Sequence, residues 1–136
     1  MDIDKALAIS SRGMQAQTTR LRTIAENLAN QDTTASTPQG EPYRRKLIAF
    51  ENRVDRELGA ETVRVKGITP DKGDLPVRFD PSHPAADDKG YVRVPNVNSF
   101  VEVMDMREAQ RSYEANLKMF EQSRQMSASL LDLIRR

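Results

Sequence analysis

The residues that interrupt helices are confined to the middle of this chain. All seven prolines lie between Pro38 and Pro95, and five of the six glycines lie between Gly40 and Gly90. Proline and glycine disfavour helices through steric clash and backbone entropy, so the segments on either side are free to form long helices. The distribution therefore predicts helices over residues 3–30 and 99–135, with extended or irregular structure between them.

The composition limits how much apolar surface one copy of the chain can bury. Hydrophobic residues make up 38% and aromatic residues 5% of the sequence, which is low for a globular domain. Such a chain is marginally stable alone unless neighbouring chains supply further apolar contacts. The formal net charge of +1 argues against nucleic acid as the main partner, because phosphate binding requires a basic surplus.

Several functional classes lack the residues that they need. The absence of cysteine excludes disulfides and thiolate metal sites. The only histidine, His83, stands between Pro81 and Pro84 without a second histidine, and there is no glycine-rich phosphate loop, so we expect no metal, no cofactor and no enzymatic activity. No stretch approaches the roughly 20 apolar residues that span a bilayer. The acidic start lacks the apolar core of a cleaved signal peptide, so we expect a chain that is cytosolic or exported without signal cleavage.

The N-terminal segment has an apolar repeat of helical type. The apolar residues Leu7, Met14, Leu21 and Leu28 follow one another at a spacing of seven. Ile24 occupies the alternate position of the same heptad pattern. The spacing favours a seam of coiled-coil type over nearly four heptads, although an ordinary amphipathic helix inside one domain gives the same pattern. We expect this seam to contact the C-terminal helix of the same chain.

The C-terminal segment has two adjacent apolar stripes. One stripe is placed to pack on the N-terminal helix, and the other is our candidate contact with neighbouring chains, although its methionines are equally suited to filling a core. The first stripe contains Tyr113, Leu117, Phe120, Leu131 and Ile134. The second stripe contains Met119, Met126, Leu130 and Leu133. A helix of this length measures roughly 54 Å against roughly 40 Å for the N-terminal helix, so part of it must extend beyond its partner.

Residues that shape helix ends are concentrated where the two helices should stop and start. Ser99 followed by Glu102 matches a capping box with Ser99 as the N-cap. Asparagine side chains stabilise turns at helix boundaries. The predicted helix-boundary residues are Asn27, Asn30, Pro95, Asn96, Asn98, Ser99 and Glu102.

The middle of the chain has only short candidates for strands. They lie at residues 47–50, 61–68, 75–79 and 91–94, and they favour either a small sheet or an extended lobe. We therefore predict a mainly α fold, in which long N- and C-terminal helices pack as a coiled-coil-like pair beside a small irregular or β middle lobe. The expected division is an N-terminal helical segment over 1–34, a middle lobe over 35–98 and a C-terminal helical segment over 99–136.

Several short blocks resemble a known family. Residues 11–17 (SRGMQAQ) and 24–34 (IAENLANQDTT) resemble the N-terminal signature of flagellar rod, hook and other axial proteins, often written A-N-N-[LI]-A-N-x-x-T, with Glu26 in place of the common first asparagine. Residues 111–117 (RSYEANL) are similar to the C-terminal block of that family. The middle of the chain, from DPSHPAAD at residue 80 to PNVN at residue 98, resembles one rod member in particular.

The resemblance implies a structural subunit of the proximal rod of the bacterial flagellum. Such proteins leave the cell through the flagellar type III export apparatus without signal cleavage and polymerise helically in the periplasm. Their terminal helices form part of the drive shaft and export channel. The implied partners are copies of the chain itself, sister rod proteins of the FlgB, FlgF and FlgG types, and FliE. A FlgB-like rod protein and a non-flagellar helical scaffold or adaptor are the alternatives.

Overall fold

The computed structural model describes residues 2–136. In chain order its elements are helix α1 (Ile3–Ala29), strands β1 (Lys46–Asp55), β2 (Ala60–Pro70), β3 (Val77–Phe79) and β4 (Tyr91–Arg93), and helix α2 (Ser99–Ile134). Both helices agree within one residue at each end with the segments that the proline and glycine distribution predicts. The carboxylate of Asp2 accepts a hydrogen bond of 3.1 Å from the amide of Asp4 and so caps the start of α1.

The prediction of a mainly α fold is wrong. Helix accounts for 47% and strand for 20% of the chain, so the fold is mixed, with terminal helices and a β middle lobe. The difference comes from β1 and β2, which are 10 and 11 residues long and pair as a hairpin. The candidates at 47–50 and 61–68 lie within these strands, but charged and exposed positions such as Arg53 interrupt the apolar alternation over the rest of their length. Cross-strand pairs such as Arg64 with Glu51 stabilise the hairpin instead.

The turn of this hairpin is closed by two local features. The carboxylate of Asp55 accepts hydrogen bonds from the amides of Glu57 (3.1 Å) and Leu58 (3.4 Å). Gly59 has a φ of 60°, a left-handed conformation that side chains with a Cβ rarely adopt. The hydrogen bonds to Asp55 therefore fix the position of the turn, and the backbone conformation at Gly59 favours glycine there.

Strands β3 and β4 form a second, separate sheet of two antiparallel strands. Val77 pairs with Arg93 and Phe79 pairs with Tyr91, whose rings meet edge to face at 5.4 Å between centroids. Val92, between these pairs, is completely buried.

The chain forms two compact units. The first comprises the chain up to Leu21, Ile48–Gly67 and Met106–Arg136. Within it Gly13 faces Asn116 whereas Arg20 pairs with Glu108 at 3.4 Å, so α1 and α2 run antiparallel. Its buried residues are small: Ser10, Gly13, Ala16, Thr62, Ala109 and Ser123.

The second unit comprises Arg22–Leu47 and Ile68–Asp105. It contains the end of α1, the start of α2 and the sheet of β3 and β4. Its largest fully buried side chains are those of Glu102, Val92 and Asn27, and two of these are polar. A buried carboxylate and a buried amide must be satisfied by partners, so this unit contains a polar network in its core.

Candidate functional site

The predicted seam of α1 lies along the edge of the helix contact rather than at its centre. Leu7, Met14, Leu21 and Leu28 are half-buried, and Ile24 is buried. The other buried positions of α1 are Ser10, Gly13, Ala16, Thr23 and Asn27. With 3.6 residues per turn, this buried face lies roughly a quarter of a turn away from the seam. The four larger side chains therefore keep part of their apolar surface open.

Gly13 allows the two helices to approach closely in the first unit. A Cβ placed on Gly13 would lie 2.7 Å from Oδ1 of Asn116, which is inside any normal contact distance. The side-chain amide of Asn116 is held by donating to the carbonyl of Ser112 at 3.0 Å. We did not single out Gly13 from the sequence, although a lone glycine within a helix pattern costs about 1 kcal/mol relative to alanine and so signals a packing requirement.

The first stripe of α2 divides between a covered and an uncovered part. Tyr113, Leu117 and Phe120 are half-buried, whereas Leu131 and Ile134 are exposed. The pairing of Gly13 with Asn116 places the start of α1 level with residue 126 or so of α2, so the last turns of α2 project about 12 Å beyond it. We call residues 127–134 the overhang of α2.

The second stripe of α2 is exposed. Met119, Met126, Leu130 and Leu133 are between 50% and 67% exposed. Gln122, Gln125 and Ser129 join three of them in lining a shallow groove of about 420 Å³. A contiguous exposed apolar surface on a folded chain marks an interaction site.

A cluster of polar side chains joins α1, β1 and α2 in the second unit. We call it the polar junction, and its members are Asn27, Tyr43, Arg45, Lys46 and Glu102. The Asn27 side chain accepts from the amide of Lys46 (2.9 Å) and donates to its carbonyl (3.0 Å), as a neighbouring strand would. The side-chain amide of Asn27 also donates to the carboxylate of Glu102 (3.3 Å), and the hydroxyl of Tyr43 donates to Asn27 Oδ1 (2.8 Å).

The charge of Glu102 is compensated within this junction. Its side chain is 1% exposed and forms an ion pair with Arg45, whose guanidinium also lies 3.3 Å from Asp105. Removing one member would leave a buried charge without its counterion.

Two groups of the polar junction have shifted pKa values. Burial raises the pKa of the Tyr43 hydroxyl. The hydrogen bond from Lys46 to Glu26, at 2.8 Å, raises the pKa of the Lys46 ammonium. Each shift favours the protonated form in the folded chain, so both groups contribute stability that is lost as the pH rises through their folded pKa values.

The predicted helix-boundary residues have distinct roles. Asn98, and not Ser99, caps α2, because its Oδ1 accepts the amide of Phe100 at 3.0 Å. Glu102 therefore turns into the polar junction instead of completing a capping box. Asn30 donates to the carbonyl of Glu26 (2.9 Å) and Asn96 accepts the amide of Arg45 (2.7 Å).

Pro95 is buried at the approach to α2. From the sequence we expected Asn27 only to shape a turn, and the structure shows that it connects three elements.

His83 fixes the loop between β3 and β4. Its Nδ1 accepts the amide of Ala85 at 2.9 Å, so its Nε2 carries the proton and donates to the hydroxyl of Thr34 at 2.9 Å. Within residues 2–136 no group of three or more histidine, aspartate or glutamate side chains is placed to hold a metal ion. In the same residues no helix is long and apolar enough to cross a membrane.

Comparisons with known proteins agree with the family resemblance. The family described as "Flagella basal body rod protein" matches residues 7–35, and "Flagellar basal body rod FlgEFG protein C-terminal" matches residues 88–133. The chain is 45% identical to the flagellar basal-body rod protein FlgC of Agrobacterium fabrum, over 98% of this chain and 96% of the relative.

Two further relatives have the same name. The FlgC protein of Borreliella burgdorferi is 38% identical over 98% of this chain and 99% of the relative. That of Aquifex aeolicus is 45% identical over 88% of each chain. The blocks in residues 80–98 indicate the same branch, in preference to a FlgB-like rod protein or a scaffold outside the flagellum.

Proposed function

This chain belongs to the FlgC family of flagellar basal-body rod proteins, and on that basis we propose how it enters the rod. It is a structural subunit of the rod of the flagellar basal body, where it assembles with other basal-body components. The proposal is that it forms part of the proximal rod and polymerises through its two terminal helices. In that position the helices contribute to the drive shaft and to the channel through which later subunits are exported.

The observation that carries the proposal is the uncovered apolar surface of α2. The second stripe and the overhang present leucine and methionine side chains that are half or more exposed, and Ile134 is 80% exposed. Each such side chain stabilises an assembly by about 1–2 kcal/mol when a neighbour covers what is still open to water. A rod requires heterologous contacts that do not close on themselves, and α2 offers one side of such a contact.

The finer parts of the proposal concern neighbours and route. We propose that the neighbours are copies of the chain, sister rod proteins of the FlgB, FlgF and FlgG types, and FliE. We also propose that the chain reaches the periplasm through the flagellar type III export apparatus without signal cleavage. The resemblance of the terminal blocks supports both statements. A structural role gives no reason to expect enzymatic activity.

The test replaces apolar side chains of the second stripe by charges. In cells that lack the native gene, Leu130→Asp with Leu133→Asp should abolish swimming and remove the chain from purified basal bodies, because two charges would be buried in the assembly. The matched control is Arg107→Asp, which lowers the net charge by the same two units at an exposed position of the same helix outside the stripe, its groove and the overhang, and should leave swimming intact.

Circular dichroism of the purified variants separates assembly from folding. Both variants should retain the helix content of the unmodified chain, since the substituted residues are exposed. Normal basal bodies containing Leu130→Asp with Leu133→Asp would contradict the proposal.

A further inference from the structure

The start of α2 presents an apolar surface to water. Phe100 is 73% exposed, and Val101, Val103 and Met104 are between 39% and 49% exposed. Glu102, the one charged residue of this stretch, is buried in the polar junction. An exposed aromatic ring among exposed aliphatic side chains is typical of an interface, whose centre is depleted in charge.

The groove near the other end of α2 is also uncharged. Its lining consists of Met126, Leu130 and Leu133 with two glutamines and one serine, and its volume is about 420 Å³. The three apolar side chains are between 50% and 67% exposed. Methionine sulfur makes favourable contacts with aromatic rings, and an apolar groove with a few polar groups at its sides is what such a ring requires. The groove therefore suits the insertion of an aromatic side chain.

The two surfaces together have the area of a stable contact. Phe100 and its three apolar neighbours, with the three apolar side chains of the groove, leave roughly 750 Å² open to water, and the apolar share of a standard interface is roughly 700–1,100 Å². An aromatic side chain that fills a pocket contributes a large part of the binding energy of such an interface. The start of α2 and the groove are therefore sufficient for one interface if they cover each other.

One chain cannot make this contact with itself. Phe100 and Leu130 lie on one continuous helix, roughly 45 Å apart along its axis. Another chain must therefore cover each surface, and a second copy carries the matching surface for both.

We propose that Phe100 of one copy inserts into the α2 groove of a second copy. The inference rests on the proposed function, because the groove belongs to the surface through which the chain is proposed to assemble. Because two different surfaces meet, the contact repeats from copy to copy without closing, as a rod requires.

Removal of the aromatic ring tests the proposal. In cells that lack the native gene, Phe100→Ala should reduce the amount of the chain in purified basal bodies at least about tenfold, because loss of an aromatic anchor weakens an interface by that factor or more. The matched control is Phe79→Ala, which removes the same ring from a position on β3 that is 63% exposed and should keep at least half of the original amount. Circular dichroism should show unchanged helix content in both variants, since both rings are exposed.

Cross-linking provides a second readout that keeps Phe100 in place. Since the chain has no cysteine, Ser99→Cys with Ser129→Cys places one thiol beside Phe100 and one in the groove. The two thiols of one copy are too far apart along α2 for a short bismaleimide to join them. Basal bodies that contain this variant should therefore give dimers or longer series of linked copies, and either single variant should give only the monomer.

The outcomes separate the two proposals. If the unmodified chain is absent from basal bodies, the proposed function fails. If Leu130→Asp with Leu133→Asp excludes the chain but Phe100→Ala does not reduce it, or reduces it no more than Phe79→Ala, the groove does not bind Phe100 and only the inference is overturned. Absence of linked copies, with the double-cysteine variant present in basal bodies, overturns the inference as well.

Discussion

At the scale of single residues, small side chains occupy the middle of the helix contact in the first unit. Gly13 and Ala16 on α1 and Ala109 on α2 are buried, while the leucines of the seam lie at the edge. Close approach of two helices therefore depends on the absence of a side chain at Gly13. The apolar seam remains partly open for contacts with other chains.

Gly13→Ala should destabilise the chain although alanine is the better helix former. The new methyl group would force the Asn116 side chain from its position and break its hydrogen bond to Ser112, so we expect the free energy of unfolding to fall by about 1 kcal/mol. In a chain that also has Asn116→Ala the clash is absent, and Gly13→Ala should instead stabilise by up to about 1 kcal/mol. Urea denaturation of the four variants measures both values, and equal effects of Gly13→Ala in the two backgrounds would contradict the packing explanation.

Tyr43 should make the stability of the chain sensitive to alkaline pH. Burial raises the pKa of its hydroxyl in the folded chain, so the associated stability is present below the unfolded value of about 10 and is lost as the pH rises through the folded value. Tyr43→Phe removes the hydrogen bond to Asn27 and should cost about 1 kcal/mol at neutral pH. It should also reduce the loss of unfolding free energy between about pH 8 and about pH 11.

Urea denaturation at a series of pH values measures how the free energy of unfolding changes with pH in the unmodified chain and in Tyr43→Phe. Lys46 contributes a loss of the same sign, since its pKa is also raised, and it remains in both proteins. An equal pH dependence for Tyr43→Phe and the unmodified chain would contradict the role of this hydroxyl.

At the scale of elements, one amide joins two helices to a strand. Asn27 pairs with the backbone of Lys46 on β1 and with the carboxylate of Glu102 on α2. Its amide group is used as both donor and acceptor, and a carboxylate of the same shape offers no donor. The position therefore requires asparagine specifically.

Asn27→Asp should lower the free energy of unfolding by about 3 kcal/mol, because a carboxylate would face the carboxylate of Glu102 and the carbonyl of Lys46. The matched control is Asn98→Asp, the same substitution in the same unit. Asn98 uses only its oxygen, as the cap of α2, and aspartate caps a helix equally well. Denaturation of both variants at neutral pH checks the prediction, and similar effects at the two positions would disprove it.

The sequence predicts the helices of this fold much better than its sheets. Proline and glycine exclude helix so strongly that the bounds of α1 and α2 follow from their positions. The hairpin of β1 and β2 is stabilised in part by ion pairs and local turn contacts, as Arg64 and Asp55 show. The candidates at 47–50 and 61–68 therefore locate its strands but not their full length. Strands β3 and β4 coincide with the other two short candidates, where Val77, Phe79 and Val92 retain the alternation.

The polar junction could be predicted only in part. Asparagines at the ends of helices indicate capping, and Asn30 and Asn98 have that local role. The partners of Asn27 are 19 and 75 positions away in the chain, and no local pattern identifies contacts at that separation. The buried position of Glu102 is likewise a product of tertiary packing, since its sequence context suits a capping box equally well.

At the scale of the whole molecule, α2 presents different chemistry on different sides. One side packs on α1 within each unit, one flank carries the second apolar stripe, and the other carries exposed residues of both charges, such as Arg107, Glu114 and Lys118. Since a subunit in a helical assembly has several neighbours, one long helix with three distinct faces can contribute to several contacts. Residues 128–134 of α2 are all exposed, because they extend beyond the start of α1.

The overhang of α2 should be only marginally ordered in the free chain and ordered in the rod. A terminal helical segment without a covered face is held only by its own backbone hydrogen bonds, so its amides should exchange within seconds in the monomer. Covering its leucines in an assembly should slow that exchange at least about a hundredfold, because opening would then require the loss of intermolecular apolar contacts.

Hydrogen exchange followed by mass spectrometry on the purified chain and on isolated basal bodies makes the comparison, with α1 residues 10–24 as the internal reference. Strong protection of residues 127–134 already in the monomer would show that the chain itself covers the overhang, and exchange that stays fast in the rod would show that no neighbour does.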